Sequence, residues 1–214
     1  MYQTISNIKE SVHLKDYIDN KDNNKKVGLK SFTYTLGWYN IKNVNVEIIG
    51  GDEYEIPPGY YNFNDLSDYL EDIGITLDLN EKNGITTITL TNDVKLSLNL
   101  KNILGLPKKK LNTGELYTGE QPVDLAIHKN IYVHLEQLNS CDNFLDGKRS
   151  TLLAVVPVEN KKFGDITTVR FENPEYKCLS GGTIHELELS IRDENDKKIN
   201  NHNLPISCVL EIIP

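Results

Sequence analysis

The chain has 214 residues, 38% of them hydrophobic, and a formal net charge of −8 at pH 7. This length suits one large β domain or two small domains. Because 23 Lys and Arg residues are scattered among 31 Asp and Glu residues, no basic face follows a phosphate backbone, and direct nucleic-acid binding is not expected. The apolar runs are too short for a membrane span, and the N-terminus lacks a secretory signal pattern. We expect a chain made and used in the cytoplasm or nucleus.

Three widely spaced cysteines are present, Cys141, Cys178 and Cys208. Disulfide frameworks and zinc sites need closer, paired spacings. The sequence therefore predicts simple thiols that are buried or half-buried.

The first 26 residues are polar and end in a run of Asn, Lys and Asp that carries too little apolar surface to order itself. We interpret residues 1–26 as a partly flexible N-terminal arm or leading loop, with a first structured strand as the alternative. Residues 27–214 are then predicted to form a single domain.

Short strands with turn residues between them come next. Residues 27–40 are rich in β-branched and aromatic side chains, which predicts a strand running into a turn. Residues 44–49 alternate apolar and polar side chains before a Gly-Gly turn. A strand at 54–56 stops at Pro57 and Pro58, because proline cannot donate to a ladder.

One clear helix is predicted over residues 64–73. Asn62 or Asn64 can cap it, and Asp65 suits its first turn. An apolar stripe at helical spacing runs through Leu66, Tyr69, Leu70 and Ile73.

A β-hairpin is predicted from residues 75–79 and 85–90, because the Asn83-Gly84 pair between them suits a tight turn. A strand at 94–98 follows. A helical turn near 100–104, capped by Asn99, is predicted after it.

Residues 108–121 are predicted to form a long exposed loop that begins with Lys108, Lys109 and Lys110. The three lysines are either a solvated turn or a patch for nucleic acid or an acidic neighbour. We favour the solvated turn, because the sequence nearby adds no further basic charge.

The second half of the chain contains two further strong strand patterns. Residues 130–138 alternate, and after a polar stretch residues 151–158 are almost continuously apolar. An apolar run of this kind predicts a strand at the centre of a packed sheet.

The last thirty residues are predicted to form a closing hairpin. In the first strand, Ile184, Glu186, Glu188 and Ser190 face one way, and His185, Leu187, Leu189 and Ile191 face the other. Asp193 to Asp196 form a turn, and residues 204–213 return as a strand with apolar side chains on both faces.

Roughly eight to ten short strands at intervals of about ten residues indicate an all-β sandwich or barrel. No alternation of strands with long helices is present, so a doubly wound α/β fold is disfavoured.

The sequence contains no convincing catalytic constellation. Its histidines, His13, His128, His134, His185 and His202, do not have the spacing of metal ligands on one helix or strand. Glu186 and Glu188 could pair carboxylates, but the solvated face of a strand explains them equally well. We predict no catalytic residue, no metal ligand, no cofactor and no enzymatic activity. Interface residues cannot be assigned from the sequence.

Aromatic residues at strand ends offer another kind of surface. Trp38, Tyr39, Tyr60 and Tyr61 could anchor an interface or stack on a sugar. For Trp38, packing in the core is favoured.

The order of six motifs resembles the minor capsid (penton) proteins of Polinton or Maverick elements and adintovirus-like viruses. The motifs cover residues 38–41, 56–61, 103–107, 130–134, 147–154 and 191–196. The resemblance runs from about Lys30 to Ile213.

The resemblance implies a single jelly-roll β-sandwich with one short inserted helix. It further implies homopentamers at the five-fold vertices of an icosahedral capsid, beside a double jelly-roll major capsid protein, and a location in the virion. Two alternatives stay open: a carbohydrate-binding jelly roll of a fibre or cell-surface attachment protein, and a cupin-like enzyme, which would need clustered histidines and a carboxylate.

Overall fold

The computed structural model describes residues 2–6, 12–42, 44–126, 128–139, 144–145, 148–159 and 162–214. The chain forms two compact units, one of Met1–Trp38 with His128–Pro214 and one of Tyr39–Ile127. We call them the split unit and the inserted unit, because the second interrupts the sequence of the first. The division into two units does not test whether residues 27–214 form the single domain expected from the sequence, so that expectation stays a prediction.

Strands dominate the described residues. In chain order the elements are β1 (Tyr2–Ser6), β2 (Val12–Asn20), β3 (Lys26–Thr35), β4 (Val44–Ile48), β5 (Glu53–Ile56), α1 (Phe63–Glu71), β6 (Ile75–Asn80), β7 (Ile85–Leu90), β8 (Val94–Leu96), α2 (Leu98–Ile103), β9 (Leu116–Pro122), β10 (Asn130–Leu135), β11 (Phe144–Leu145), β12 (Lys148–Arg149), β13 (Leu152–Pro157), β14 (Ile166–Arg170), β15 (Lys177–Cys178), β16 (Gly182–Leu187), β17 (Leu189–Arg192) and β18 (Ile206–Ile213).

The split unit has the strand order of a jelly roll. One sheet runs β1-β18-β3-β14, with β15 also beside β3. The second sheet is built around β16 and β17, which follow one another with only Glu188 between them. β16 pairs with β2, and β17 pairs with β10, which in turn pairs with β13. Neighbouring strands are antiparallel throughout. Two antiparallel sheets connected in this order form a jelly-roll sandwich, so the predicted fold class is confirmed.

Alternating side chains of the split unit build its core. Every second residue of β18 is buried, and β10 buries three apolar side chains in the same pattern. Each such side chain contributes about 1.5–3 kcal/mol when it is fully removed from water. These buried residues include Val27, Leu29, Phe32, Tyr34, Ile131, Val133, Leu135, Ile206, Cys208, Leu210 and Ile212.

The N-terminal segment is strand where the sequence predicts an arm. β1 pairs with β18 along its whole length, and β2 pairs with β16. The alternative of a first structured strand is therefore correct for both ranges. Main-chain hydrogen bonds hold an edge strand without requiring many apolar side chains, so composition alone underestimated its order.

The two closing strands do not form a hairpin. β16 and β17 pair with β2 and β10, whereas β18 pairs with β1 and β3 in the other sheet. The predicted faces are also wrong at one point, because the register shifts between Ile184 and Glu186. Ile184 and Leu187 are both buried while His185 is exposed, as expected where a bulge interrupts the alternation.

The apolar strand β13 lies at the edge of its sheet, not at the centre as the sequence predicts. Among the described strands it pairs with β10 alone. Apolar side chains on both faces normally indicate that packed layers cover both faces of a sheet. In β13, Val155 is nevertheless 39% exposed, and among the described strands one edge of β13 has no partner.

The inserted unit contains two three-stranded sheets, ordered β5-β4-β8 and β6-β7-β9. The predicted hairpin is confirmed, since β6 and β7 pair in register from Ile75 with Leu90 to Asn80 with Ile85. The predicted exposed loop 108–121 is wrong at its end, where β9 begins at Leu116 and pairs with β7.

Both helices of the described chain lie in the inserted unit, slightly displaced from the predicted ranges. Asn62 caps α1 in a capping box with Asp65. Ser97, not Asn99, caps α2 by accepting a hydrogen bond from the Leu100 N–H. The helices and sheets share one core, which includes Val44, Val46, Ile56, Leu66, Leu70, Ile75, Ile88, Leu100 and Leu104.

Candidate functional site

Two of the sequence motifs meet inside the inserted unit. Ile41 and Gly59 form an antiparallel bridge. The buried Asn40 donates from Nδ2 to the Tyr61 carbonyl at 2.7 Å, and the Tyr61 N–H donates to Asn40 Oδ1 at 2.8 Å. The 38–41 motif therefore contacts the 56–61 motif through a main-chain bridge and through the buried side-chain amide of Asn40. The role of both motifs at this contact is structural.

Two further motifs meet inside the split unit. In the β10–β17 ladder, Tyr132 lies opposite Arg192 and Val133 lies opposite Ile191. Gly147 of the 147–154 motif lies outside the described residues. The motifs of the second half therefore mark sheet pairing, and they do not gather reactive groups.

Trp38 packs in the core, as predicted, with 3% of its surface exposed. Its ring stacks on Tyr34 at a centroid distance of 5.9 Å and meets the His128 ring edge-on at 5.6 Å. A buried indole has no free face for a sugar. Tyr39 and Tyr60 are half-buried.

Polar and charged side chains gather at one end of β10 and β17 in the split unit. Arg192 donates from Nη1 to Asp196 Oδ1 at 2.9 Å and from Nη2 to Glu136 Oε1 at 3.4 Å. His134 is buried, and its Nδ1 lies 3.1 Å from Thr151 Oγ1. Burial, and then the positive charge of Arg192, lower the pKa of His134 from its ordinary value of 6.5.

This cluster superficially resembles a nucleophile–histidine–carboxylate triad. The His134 Nε2, however, lies 3.9 Å from Asp196 Oδ1, which is too long for a hydrogen bond. Asp196 directs the same oxygen to Arg192 instead. The arrangement therefore holds the turn after β17 against β10, and it does not activate Thr151 as a nucleophile.

An open groove of about 830 Å³ runs beside this cluster. Its walls mix apolar side chains of β17 with Glu136, Arg192, Lys198 and the amide-bearing Asn201. The charges have both signs, and Arg192 pairs within the chain with Glu136 and with Asp196. Within the described ranges, no three His, Cys, Asp or Glu side chains gather in a way that could hold a metal ion.

The remaining candidate residues are dispersed. Glu186 of β16 is half-buried, and Glu188, the residue between β16 and β17, is exposed. Cys208 is buried, and burial raises the pKa of its thiol to about 12. Cys178 is half-buried, whereas Cys141 lies outside the described residues. His185 and His202 are exposed, on separate elements.

The tri-lysine loop has a defined anchor that the sequence did not reveal. Lys108, Lys109 and Lys110 are exposed, as predicted. The buried Lys101 of α2 donates from Nζ to the Lys109 carbonyl at 2.6 Å, and the Lys109 ammonium lies 5.2 Å from the Tyr117 ring centroid. The loop is therefore fixed at its middle residue, by the main chain of Lys109 and by its ammonium group over Tyr117.

No protein-family model matches this sequence, and no curated protein matches it. A solved structure, the selenomethionine-labelled mavirus penton protein, is similar over almost its whole length. The alignment covers 99% of this chain and 97% of that chain, with a TM-score of 0.53 and 12% sequence identity. This chain has the fold of a viral penton protein. Neither described helix is long and apolar enough to cross a bilayer.

Proposed function

We propose that this chain is the penton, or vertex minor capsid protein, of a virus or element of the Polinton, Maverick or adintovirus-like group. Five copies would form a homopentamer at each five-fold vertex of an icosahedral capsid. The neighbouring shell component would be a double jelly-roll major capsid protein. The chain would be made in the host cytoplasm or nucleus and reside in the virion, without contacting nucleic acid directly.

The observation that carries this proposal is the likeness to the mavirus penton protein across both whole chains. The two antiparallel sheets of the split unit agree with this proposal, because a jelly roll can serve through its surfaces as the subunit of a closed ring.

The experiment is native mass spectrometry of the purified chain, alone and mixed with its major capsid protein. We expect pentamers, and in the mixture we expect particles whose vertices carry the chain in electron micrographs. A chain that remains monomeric or trimeric in both samples, and that binds glycans on an array, would overturn the proposal in favour of a carbohydrate-binding attachment module.

A further inference from the structure

Large apolar side chains that are exposed on the split unit lie on two opposite sides of its sandwich. Among its described residues they are Tyr17, Val155, Phe163 and Ile166, exposed by 59%, 39%, 44% and 67%. Tyr17 is on β2, whereas the other three lie on β13, on β14 or on the connection between them. Exposed apolar groups are common singly, so their placement at sheet edges is the informative point.

β13 and β14 form one side of the sandwich. Each is the terminal strand of its sheet in the described part of the chain. Both also lie next to the same residue of β3: Thr167 of β14 pairs with Tyr34, and the N–H of Glu159, just after β13, donates to the Tyr34 hydroxyl at 3.1 Å. We call Leu152–Pro157 and Ile166–Arg170, together with Phe163, the β13–β14 side.

Among the described strands, β1 pairs only with β18 at the other end of its sheet, and β2 pairs only with β16, which continues through Glu188 into β17. We call Tyr2–Ser6 and Val12–Asn20 the β1–β2 side. It carries the exposed Tyr17, whose ring lies 5.9 Å from that of His185 on the neighbouring β16. In the described part of the chain, both sides thus combine terminal strands with an exposed apolar residue.

We propose that the β13–β14 side of one copy docks against the β1–β2 side of a second copy. A single sequence supplies both halves of this contact, and the two halves differ. Repetition of such a head-to-tail contact closes a ring. The contact would cover the exposed edge of β13, whose apolar run predicts a strand at the centre of a packed sheet. This inference rests on the proposed function and assigns its subunit interface.

Two substitutions test the contact, one on each side. Ile166→Asp and Tyr17→Asp each place a charge at an exposed apolar position, so the fold should be retained. Each should weaken assembly, raising the dissociation constant of the contact by about 100-fold. Leu116→Asp is the matched control, because Leu116 is 69% exposed but belongs to the inserted unit. It should assemble like the wild type, and circular dichroism verifies folding for all three.

Mixing the two variants distinguishes a head-to-tail contact from a symmetric one. An Ile166→Asp chain keeps its β1–β2 side, and a Tyr17→Asp chain keeps its β13–β14 side. Neither should assemble alone, whereas the mixture should form a 1:1 heterodimer that grows no further. Native mass spectrometry of differently tagged chains resolves these species.

Each other outcome has a defined meaning. If folded Ile166→Asp chains form wild-type rings, or if Tyr17→Asp chains still dimerise alone, the assigned contact is wrong while the penton function stands. The wild-type ring could instead contain a number of copies other than five. If both substitutions also prevent the assembly of that ring, the contact stands and the proposed vertex function is wrong. A wild-type chain that stays monomeric at its highest soluble concentration overturns the contact.

Discussion

Asn40 and Tyr61 exchange two hydrogen bonds, one in each direction, between the side chain of the first and the main chain of the second. The same Asn40 Nδ2 donates to the Leu125 carbonyl at 3.2 Å. One buried amide thus ties the first residues of the inserted unit to its last ones. Because buried polar groups are costly to leave unpaired, this position has little tolerance for change.

Asn40→Ala should destabilise the chain by about 2–3 kcal/mol, because it leaves the Tyr61 N–H and carbonyl without their partner. Urea denaturation measures the change. Asn92→Ala is the control, since Asn92 is exposed and its Nδ2 donates to the neighbouring Thr91 Oγ1 at 3.4 Å; it should stay within about 0.5 kcal/mol of the wild type. Equal stabilities of the two variants would contradict the role assigned to Asn40.

Gly105→Ala should be far more damaging than Gly114→Ala, although both glycines have a positive φ, of 66° and 76°. A Cβ at Gly105 would overlap the Gln121 carbonyl oxygen and lie 2.8 Å from its carbon, whereas a Cβ at Gly114 meets nothing within 4 Å. Gly114→Ala should therefore cost only the conformational penalty, about 1 kcal/mol.

The measurement for this pair is the thermal midpoint of each variant. Gly105→Ala should lower it well beyond the shift of Gly114→Ala, because the Gly105 carbonyl also accepts hydrogen bonds from Glu120 and Gln121. Similar midpoints would show that the end of α2 can move away from β9 at little cost.

Local patterns predicted those parts of the fold whose partners are close in sequence. The β6–β7 hairpin follows from alternation on both sides of Asn83-Gly84, and α1 follows from its cap and apolar stripe. The burial of Trp38 also followed from its residue type. These features depend on interactions within about a turn of helix or a hairpin, which the sequence displays directly.

Pairing between distant strands could not be predicted in the same way. β18 alternates like the partner of a hairpin, yet its neighbours are β1 and β3. The apolar run of β13 does not distinguish an edge from a centre, although Pro157 at its end, which cannot donate to a ladder, is compatible with an edge. The cluster of His134 with Thr151, and the anchoring of Lys109 by Lys101, likewise depend on tertiary contacts.

Lys101→Met should loosen the tri-lysine loop without unfolding the chain. Burial lowers the pKa of Lys101, and methionine keeps most of the buried side-chain volume while removing the donor to the Lys109 carbonyl. Removing the buried cation also removes its desolvation cost, which offsets part of the free energy lost with the hydrogen bond. The free energy of unfolding of the chain should therefore change little. Hydrogen exchange of the amides in 108–112 should accelerate about 10-fold.

The control is Lys95→Met, which removes an exposed ammonium that lies 2.8 Å from Glu47 Oε2. Exchange in 108–112 should not respond to it. If Lys101→Met leaves that exchange rate at the wild-type value, Lys101 does not hold the loop.

His134 should make the folded chain less stable in acid. Its folded pKa is lowered by burial and by Arg192, against the opposing charges of Asp196 and Glu136. As the pH falls below about 6.5, the unfolded chain takes up a proton that the folded chain resists, so the free energy of unfolding falls until the pH reaches the lowered folded pKa. The slope from this single group is at most about 1.4 kcal/mol per pH unit.

Urea denaturation between pH 7.5 and pH 5 measures this effect against His134→Gln, which cannot titrate. The free energy of unfolding of the wild type should fall more steeply than that of His134→Gln. The difference between the curves isolates His134, because all other titratable groups are the same in the two proteins. Parallel curves for the wild type and His134→Gln would mean that the buried imidazole is protonated as easily in the folded chain as in the unfolded one.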